Sequence, residues 1–220
     1  MDIMSTATKK LLNLDWRMIS LNQVKDLIRQ RVDVNTRDIH DRTALMHASL
    51  SGHTDIVKML IEQGADVNAK SGGGDTALMM ASFNRQTDIV KMLIERGAGV
   101  DVRDDYNRTA LIMACWRGYA DIAKMLIEHG ADVNAKDKEG KTSLQWARIN
   151  GHTDLAQFLE KAEKLCQQEA DEERKPRSPA LHHMLAHGEQ QGLNASLTEE
   201  YMRGNDISIS ITNRTLRNGR

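Results

Sequence analysis

The stretch TDIVKMLIEQGADVNAK, residues 54–70, returns almost unchanged twice further along the chain. It reads TDIVKMLIERGAGVDVR at residues 87–103 and ADIAKMLIEHGADVNAK at residues 120–136. A second pattern keeps the same phase: TALMHAS, TALMMAS, TALIMAC and TSLQWAR begin 33 residues apart, at Thr43, Thr76, Thr109 and Thr142. A fixed period of this length over several copies predicts an array of stacked structural units.

Each unit has the signals of a helix, a turn, a second helix and a loop. The leading threonine can N-cap the first helix, because its hydroxyl accepts a hydrogen bond from a free backbone N–H. Glycines that can take left-handed backbone end the helices, at Gly52, Gly118 and Gly151 for the first and Gly64, Gly97 and Gly130 for the second. Arg85 stands where the other units have the first of these glycines, so we expect strained left-handed backbone there.

Apolar residues recur at the same places in every unit and explain why the units stack. One row consists of Leu45, Leu78, Leu111 and Leu144. A row of alanines, small enough to let helices approach closely, consists of Ala48, Ala81, Ala114 and Ala147. No unit can bury these side chains alone, so neighbours must cover one another. At about 1.5–3 kcal/mol for each buried leucine, the rows outweigh any single polar contact.

The segment GHTDIVKMLIEQGADVNAK, followed by a turn of the type D-x-x-G-x-T-A-L, closely resembles the ankyrin repeat. The resemblance covers about residues 11–162. It implies an all-α solenoid of paired antiparallel helices with projecting β-hairpin-like loops, in which the first helices and the loops line a concave face. The chain departs from the family's Thr-Pro-Leu-His in every unit, so the histidine that bonds back to the threonine is missing and part of the usual polar network is in question.

The period also predicts the organisation of the chain. We expect a degenerate N-terminal capping repeat, three repeats, a C-terminal capping repeat with an extended last helix, and a flexible tail, at residues 1–37, 38–70, 71–103, 104–136, 137–174 and 175–220. Glu160 places a charge in a row of isoleucines, as the outer face of a terminal repeat requires. In the tail, PALHHMLAHG could form a short helix and DISISIT alternates like a strand, but the segment is polar and disorder is expected.

One further apolar row is the strongest candidate for a binding site. It consists of Leu50, Phe83, Trp116 and Ile149. By the geometry that the resemblance implies, the row closes the first helices on the concave side, and contiguous exposed apolar surface marks an interface. Its polar rim would consist of Tyr106, His40, Asn84, Arg117 and Asn150. The alternatives are that the tail or the long last helix covers the row, or that the row is only internal packing.

Composition narrows the classes of partner. The 30 Lys and Arg residues face 31 Asp and Glu residues, so the excess of positive charge that neutralises nucleic-acid phosphates is missing. No stretch approaches the roughly 20 apolar residues of a membrane span, and the start of the chain shows no signal-peptide core. Cys115 and Cys166 lie far apart without metal or redox spacing, which fits a reducing compartment. We therefore expect a cytoplasmic monomer that binds neither nucleic acid nor membrane.

Other groupings give weaker signals. A basic row of Arg37, Lys70, Arg103 and Lys136 could recognise an acidic partner, but aspartates beside it favour a balanced, solvated face. His183 and His187 have the spacing of two ligands on one helix face without a third nearby, so no metal or cofactor is predicted. We interpret Cys115 as a buried hydrophobe, and His53 and His152 as structural hydrogen-bonding residues. No catalytic set can be assembled, and no enzyme activity is predicted.

The sequence thus predicts a non-catalytic scaffold or adaptor that grips one protein partner in its concave groove. One alternative is a bacterial effector delivered into a host cell. The ending TEEYMRGNDISISITNRTLRNGR, with its spaced arginines, is similar in composition to C-terminal signals read by some bacterial secretion machines. The other alternative is an inhibitor or immunity protein whose groove plugs an enzyme.

The predicted tail can be tested by limited proteolysis of the full chain. We expect the first cuts between Arg174 and Arg220, leaving a stable fragment of repeats, because few apolar residues lie beyond Pro179. Mass spectrometry of the earliest fragments locates the cuts. A tail that survives as long as the repeats would instead show that it packs on them.

Overall fold

The computed structural model describes residues 11–12, 14–16 and 18–174, with side chains as far as Gln167. Most of these residues are helical, and the only bridge of the β type among them is an isolated one between Arg37 and Thr43. They lie in a compact unit, Met1–Gln167, apart from the last turns of the final helix. The segments predicted as a flexible tail, a short helix and a strand lie beyond residue 174, outside the described residues, as do His183 and His187.

Nine helices of a turn or more follow one another in the described part of the chain, and Leu11 and Leu12 are helical as well. They are α1 Leu21–Arg29, α2 Ala44–Ser51, α3 Thr54–Glu62, α4 Ala77–Phe83, α5 Thr87–Glu95, α6 Ala110–Arg117, α7 Ala120–Glu128, α8 Ser143–Ile149 and α9 Thr153–Arg174. From α2 onward they form the helix–turn–helix pairs that the period predicts. The expected all-α solenoid is therefore confirmed, whereas the exact repeat boundaries stay predictions.

The predicted caps form at every first helix. Thr43 Oγ1 accepts a hydrogen bond from the backbone N–H of Met46 at 3.4 Å, and the same bond recurs at Thr76, Thr109 and Thr142. Thr142 extends it into a capping box, in which the side chain of Gln145 accepts from the threonine's own backbone N–H at 2.8 Å. The loss of the family's histidine therefore leaves the threonine cap intact.

The core lies between neighbouring first helices and between the two helices of each pair. Leu45, Leu78 and Leu111 are fully buried, and the row of four alanines beside them is closed to solvent. Helix α4 packs against α2 on one side and against α6 on the other. The second helices contribute Leu60, Leu93 and Leu126 to the same core. Each repeat is thus covered by its neighbours, as the spacing of the apolar rows predicts.

The basic row links consecutive repeats. Arg37 Nη1 donates to the backbone carbonyl of Lys70 at 2.6 Å, Lys70 Nζ donates to that of Arg103 at 3.1 Å, and Arg103 Nη1 donates to that of Lys136 at 3.4 Å. All four side chains are exposed, so the expected solvated face is present. The prediction was incomplete, because it missed a second role of three members of the row. Arg37, Lys70 and Arg103 each also hold the next loop in place.

A second ladder of polar side chains runs beside the first. Asn35 Nδ2 donates to the carbonyl of Gly64 at 3.1 Å, and its Oδ1 accepts from the N–H of Asp66 at 2.8 Å. Asn68 repeats both bonds one period later, and Asp101 repeats the accepting one. Because these bonds join residues about one period apart, they fix the distance between neighbouring repeats.

Aspartates at the base of the loops organise the loops from within. Asp38 Oδ1 accepts from the N–H groups of His40 and Arg42, and Asp104 and Asp137 do the same in their own loops. Burial by itself would raise the pKa of Asp38, but these N–H groups and the ring of His47 outweigh it and hold the pKa below its ordinary value. The carboxylate is therefore kept charged as part of the loop structure.

The turn between the helices of a pair has a left-handed residue, and at Gly118 it also leaves no room for a side chain. Gly52 and Gly118 have φ values of 81° and 77°, and Arg85 at the equivalent place has φ 58°, as predicted. A Cβ at Gly118 would also lie 2.5 Å from the ring of His152, which packs over this turn from the next repeat. The guanidinium of Arg85 instead lies 5.6 Å from the ring centre of Tyr119, which takes the equivalent place to His152.

Two glycine substitutions separate backbone strain from this packing. Gly64→Ala should lower the free energy of unfolding by about 1–2 kcal/mol, because Gly64 has φ 84° but no atom near an added Cβ. Gly118→Ala should cost about 1 kcal/mol more, since His152 must also give up its hydrogen bond to the carbonyl of Trp116. Urea denaturation of both variants checks the difference, and equal losses would show that His152 moves without cost.

Candidate partner-binding groove

Two rows of side chains on the first helices form the surface of interest, which we call the groove. The first is the predicted row of Leu50, Phe83, Trp116 and Ile149. The second lies three residues earlier, hence on the same helix faces, and consists of His47, Met80, Met113 and Trp146, of which Met80 and Met113 are buried. In the first row Leu50 is 37% exposed and Ile149 59% exposed, whereas Phe83 and Trp116 are partly buried. The row is therefore open at its ends and more tightly packed in its middle.

Aromatic contacts explain why the middle of the groove is partly buried. The rings of Phe83 and Trp116 meet edge to face with their centres 5.8 Å apart. The rings of Trp116 and Trp146 lie 5.4 Å apart at a tilt of 33°. Aromatic pairs at such distances each contribute about 0.5–1.5 kcal/mol beyond area burial, so three successive repeats share one chain of rings.

Trp146 is the residue that sequence reasoning missed. Its Nε1 donates to Asp137 Oδ2 at 2.7 Å, so the loop aspartate of the same repeat fixes the direction of the indole. Lys141 Nζ lies 4.4 Å from the centre of the same ring. A signal did exist in the sequence, because Trp146 precedes Ile149 by three residues and must share its helix face.

The other end of the second row repeats this device with different residues. His47 Nε2 lies 2.8 Å from Asp38 Oδ2, and this contact is the counterpart of the bond from the Trp146 indole to Asp137. The ring of Trp16 stacks on His47 with centres 5.6 Å apart and nearly parallel planes. Loop aspartates thus orient the terminal members of the row, while Met80 and Met113 occupy its middle.

A cleft of about 270 Å³ opens between these middle residues. Its apolar lining consists of Leu50, Met79, Met80, Phe83, Met113 and Trp116. Its polar lining consists of Arg42, Asp75, Asn84 and Arg108. A cavity with a mainly apolar lining and a few polar groups at its edge has the character of a binding site.

The predicted rim residues lie at different places around the groove. Asn84 lines the cleft, and the guanidinium carbon of Arg117 lies 4.9 Å from the ring centre of Phe83, which also lines it. Asn84 and Asn150 both donate their side-chain amides to a carbonyl of the preceding helical turn, so each also has a local capping role. Tyr106 and His40 lie exposed on the loops, away from the cleft lining.

Tyr106 is held in place although the residue is 61% exposed. The Arg108 guanidinium carbon lies 4.7 Å from the ring centre, and Lys138 Nζ of the next loop lies 6.0 Å from it. The backbone carbonyl of Tyr106 also accepts from the N–H of Lys138 at 2.9 Å. This ring is therefore a fixed feature of the loop edge of the groove.

Comparison with known families agrees with this geometry. The family model of ankyrin repeats matches the chain in three copies, over residues 17–104, 70–137 and 96–170. The chain belongs to the ankyrin-repeat family. Ankyrin repeats are protein–protein interaction modules, and the family is generally non-catalytic. No curated protein matches the chain.

The remaining candidates have structural roles in the ankyrin repeats. Cys115 is fully buried, as predicted, and burial raises the pKa of its thiol to about 12. His53 and His152 bond the carbonyls of Trp16 and Trp116 in the preceding repeat, at 2.6 and 3.3 Å. Among the described residues no three His, Cys, Asp or Glu side chains group as metal ligands, and no helix has the length and apolar character to cross a membrane.

The contacts of Trp116 predict that its truncation lowers the free energy of unfolding of the ankyrin repeats by an intermediate amount. Trp116→Ala should lower the free energy of unfolding by about 1–3 kcal/mol, since it breaks two ring contacts at a partly buried place. Ile149→Ala, at an exposed place, should cost less than about 0.5 kcal/mol, and the core variant Leu78→Ala about 2–5 kcal/mol. Chemical denaturation ranks the three, and a cost for Trp116→Ala equal to that of Leu78→Ala would show that the groove row is core.

Proposed function

We propose that this ankyrin-repeat protein is a non-catalytic scaffold or adaptor that binds one protein partner through the groove. The observation that carries the proposal is the chain of rings from Phe83 through Trp116 to Trp146, beside an apolar cleft that opens at the surface. Buried aromatic anchors supply most of the binding energy in protein interfaces. Here the rings are already oriented by their neighbours, so a partner orders few side chains when it binds.

The charged groups at the groove support binding over chemistry. The loop carboxylates that could act as acids or bases are engaged in the fold: Asp38 with His47, Asp104 with Arg108, and Asp137 with Trp146. Their oxygens also accept backbone N–H groups within their own loops. We therefore propose that these aspartates orient the groove and take no part in a reaction.

The proposal extends to a monomer working in the cytoplasm, where its free thiols stay reduced. A delivered effector and an enzyme inhibitor would use the same surface, so the identity of the bound protein separates these roles. A host protein would favour the effector, whereas an enzyme blocked at its active site would favour the inhibitor.

The test uses a partner captured by the full chain, identified by mass spectrometry, purified, and titrated by calorimetry. Trp116→Ala should weaken the complex at least tenfold, because truncating a central aromatic anchor commonly costs about 2 kcal/mol or more. Phe83→Ala should act in the same direction. Unfolding curves measured alongside establish that each variant is folded at the temperature of the titration.

A matched pair of exposed apolar residues serves as the control. Ile149 in the groove is 59% exposed, and Leu165 on α9 is 60% exposed. Ile149→Ala should weaken the complex measurably, whereas Leu165→Ala should leave the affinity unchanged. If Trp116→Ala binds as tightly as the parent protein, or if Leu165→Ala weakens binding as much as Ile149→Ala, the groove is not the binding surface.

A further inference from the structure

We infer that the cleft in the groove receives one bulky apolar side chain from a protein segment that carries acidic residues on both sides of it. The inference rests on the proposed binding function and adds the chemistry of the bound segment. Three features carry it: the size and lining of the cleft, the absence of side chains at the loop above it, and the sign of the charges around it.

The cleft fits a single large side chain. Its volume of about 270 Å³ exceeds the ~150 Å³ of an apolar cavity that holds a benzene ring. Its lining includes Met80 and Met113 as well as Phe83 and Trp116, and methionines adapt readily to the shape of a guest. A leucine, phenylalanine or tryptophan would therefore replace water against apolar walls.

One of the loops beside the cleft has no side chains at its tip. It reads Ser71-Gly-Gly-Gly-Asp75, and Asp75 lines the cleft. In the next repeat Tyr106 takes the place of Gly73, and its ring lies 4.7 Å from the guanidinium of Arg108, which is the equivalent of Asp75. A Cβ at Gly73 would lie 3.3 Å from Asp75 Oδ2, so a larger side chain there would extend over Asp75 at the edge of the cleft.

Of the three charged residues that line the cleft, Arg42 and Arg108 are positive and Asp75 is negative. Arg42, Arg108 and Lys141 occupy three of the four places just before the capping threonines, with Asp75 the fourth. Arg108 and Lys141 are neutralised by Asp104 and Glu139. Within the described residues, neither Arg42 nor Arg117 takes part in an ion pair.

Arg42 and Arg117 stand at opposite ends of the first helices. Arg42 precedes α2 and lines the cleft on the loop side. Arg117 is the last residue of α6 and lies over Phe83. A segment that crosses the groove from the loops toward the helix ends would meet one cation before the anchor and one after it, which favours carboxylates at both places.

The same charges argue against the chain's own tail as the occupant. Residues 175–220 carry six Lys and Arg residues against four Asp and Glu residues. This positive balance disfavours the tail as a whole beside Arg42 and Arg117 and favours an acidic segment from another protein. We therefore assign the cleft to a partner. Locally, however, Tyr201 and Met202 stand between Glu199 and Glu200 on one side and Asp206 on the other, so a synthetic copy of the tail is included in the test below.

The test pans a displayed library of random short peptides against the full chain. Enriched peptides should share a Trp, Phe or Leu with Asp or Glu on both sides. One of them, made synthetically, is then titrated against substituted proteins. Arg42→Asp copies Asp75 and Arg117→Asn copies Asn84 and Asn150, so both residues have precedents at these places. Each should weaken binding about fivefold or more, and Gly73→Tyr, which copies Tyr106, should abolish it.

A control removes a positive charge from the second helices instead. Lys91→Gln copies Gln157, the equivalent residue of the last repeat, and is exposed on α5. It should leave the peptide affinity unchanged. A fall equal to that of Arg117→Asn would show that overall charge, and no particular site, attracts the peptide, which overturns the inference.

The remaining outcomes separate the two proposals. Enriched peptides that lack acidic residues but lose binding in Trp116→Ala overturn the inference and leave the proposed function standing. Acidic peptides that bind Trp116→Ala and Arg42→Asp as well as the parent protein count against both. A library without enrichment, or displacement of the peptide by a synthetic copy of residues 175–220, overturns the inference alone, since the captured partner tests the proposed function separately.

Discussion

The structure depends on a single constraint, which is that no repeat can bury its own apolar face. Leu78 and Leu111 belong to different repeats, yet both are fully closed to solvent because each first helix lies between two others. The constraint also explains the ends of the array. Leu11 and Trp16 are buried against the first repeat, and Glu160, which forms an ion pair with Arg148, faces outward at the last. The helices that carry the groove also carry the rows of this core.

The period made the equivalent parts of the fold predictable. Residues that occupy the same place in each repeat have the same environment, so the threonine caps and the buried leucines could be identified from spacing alone. The left-handed conformation of Arg85 was also predictable, because glycines stand at that place in other repeats. These features depend on local backbone and on the nearest repeat, and both are contained in one period of sequence.

The candidate site was predictable only in part, because it depends on contacts between residues that are not equivalent. Trp116 and Trp146 belong to different rows of the repeat, so a comparison of equivalent positions does not reveal that their rings are in contact. The direction of the Trp146 indole depends on Asp137, nine residues earlier. The partial burial of Phe83 and Trp116 follows from such contacts, so a row read as an exposed stripe is in fact open chiefly at its ends.

The polar ladders between repeats have a consequence for how such a chain can change in length. Arg37, Lys70 and Arg103 each donate to a main-chain carbonyl one period further on, and a carbonyl is present whatever residue follows. Duplication or deletion of a whole 33-residue segment would preserve every such bond at the new junction. The array can therefore be lengthened or shortened by recombination while the rows of the groove diverge independently, so that the reach of the protein and its choice of partner are free to evolve separately.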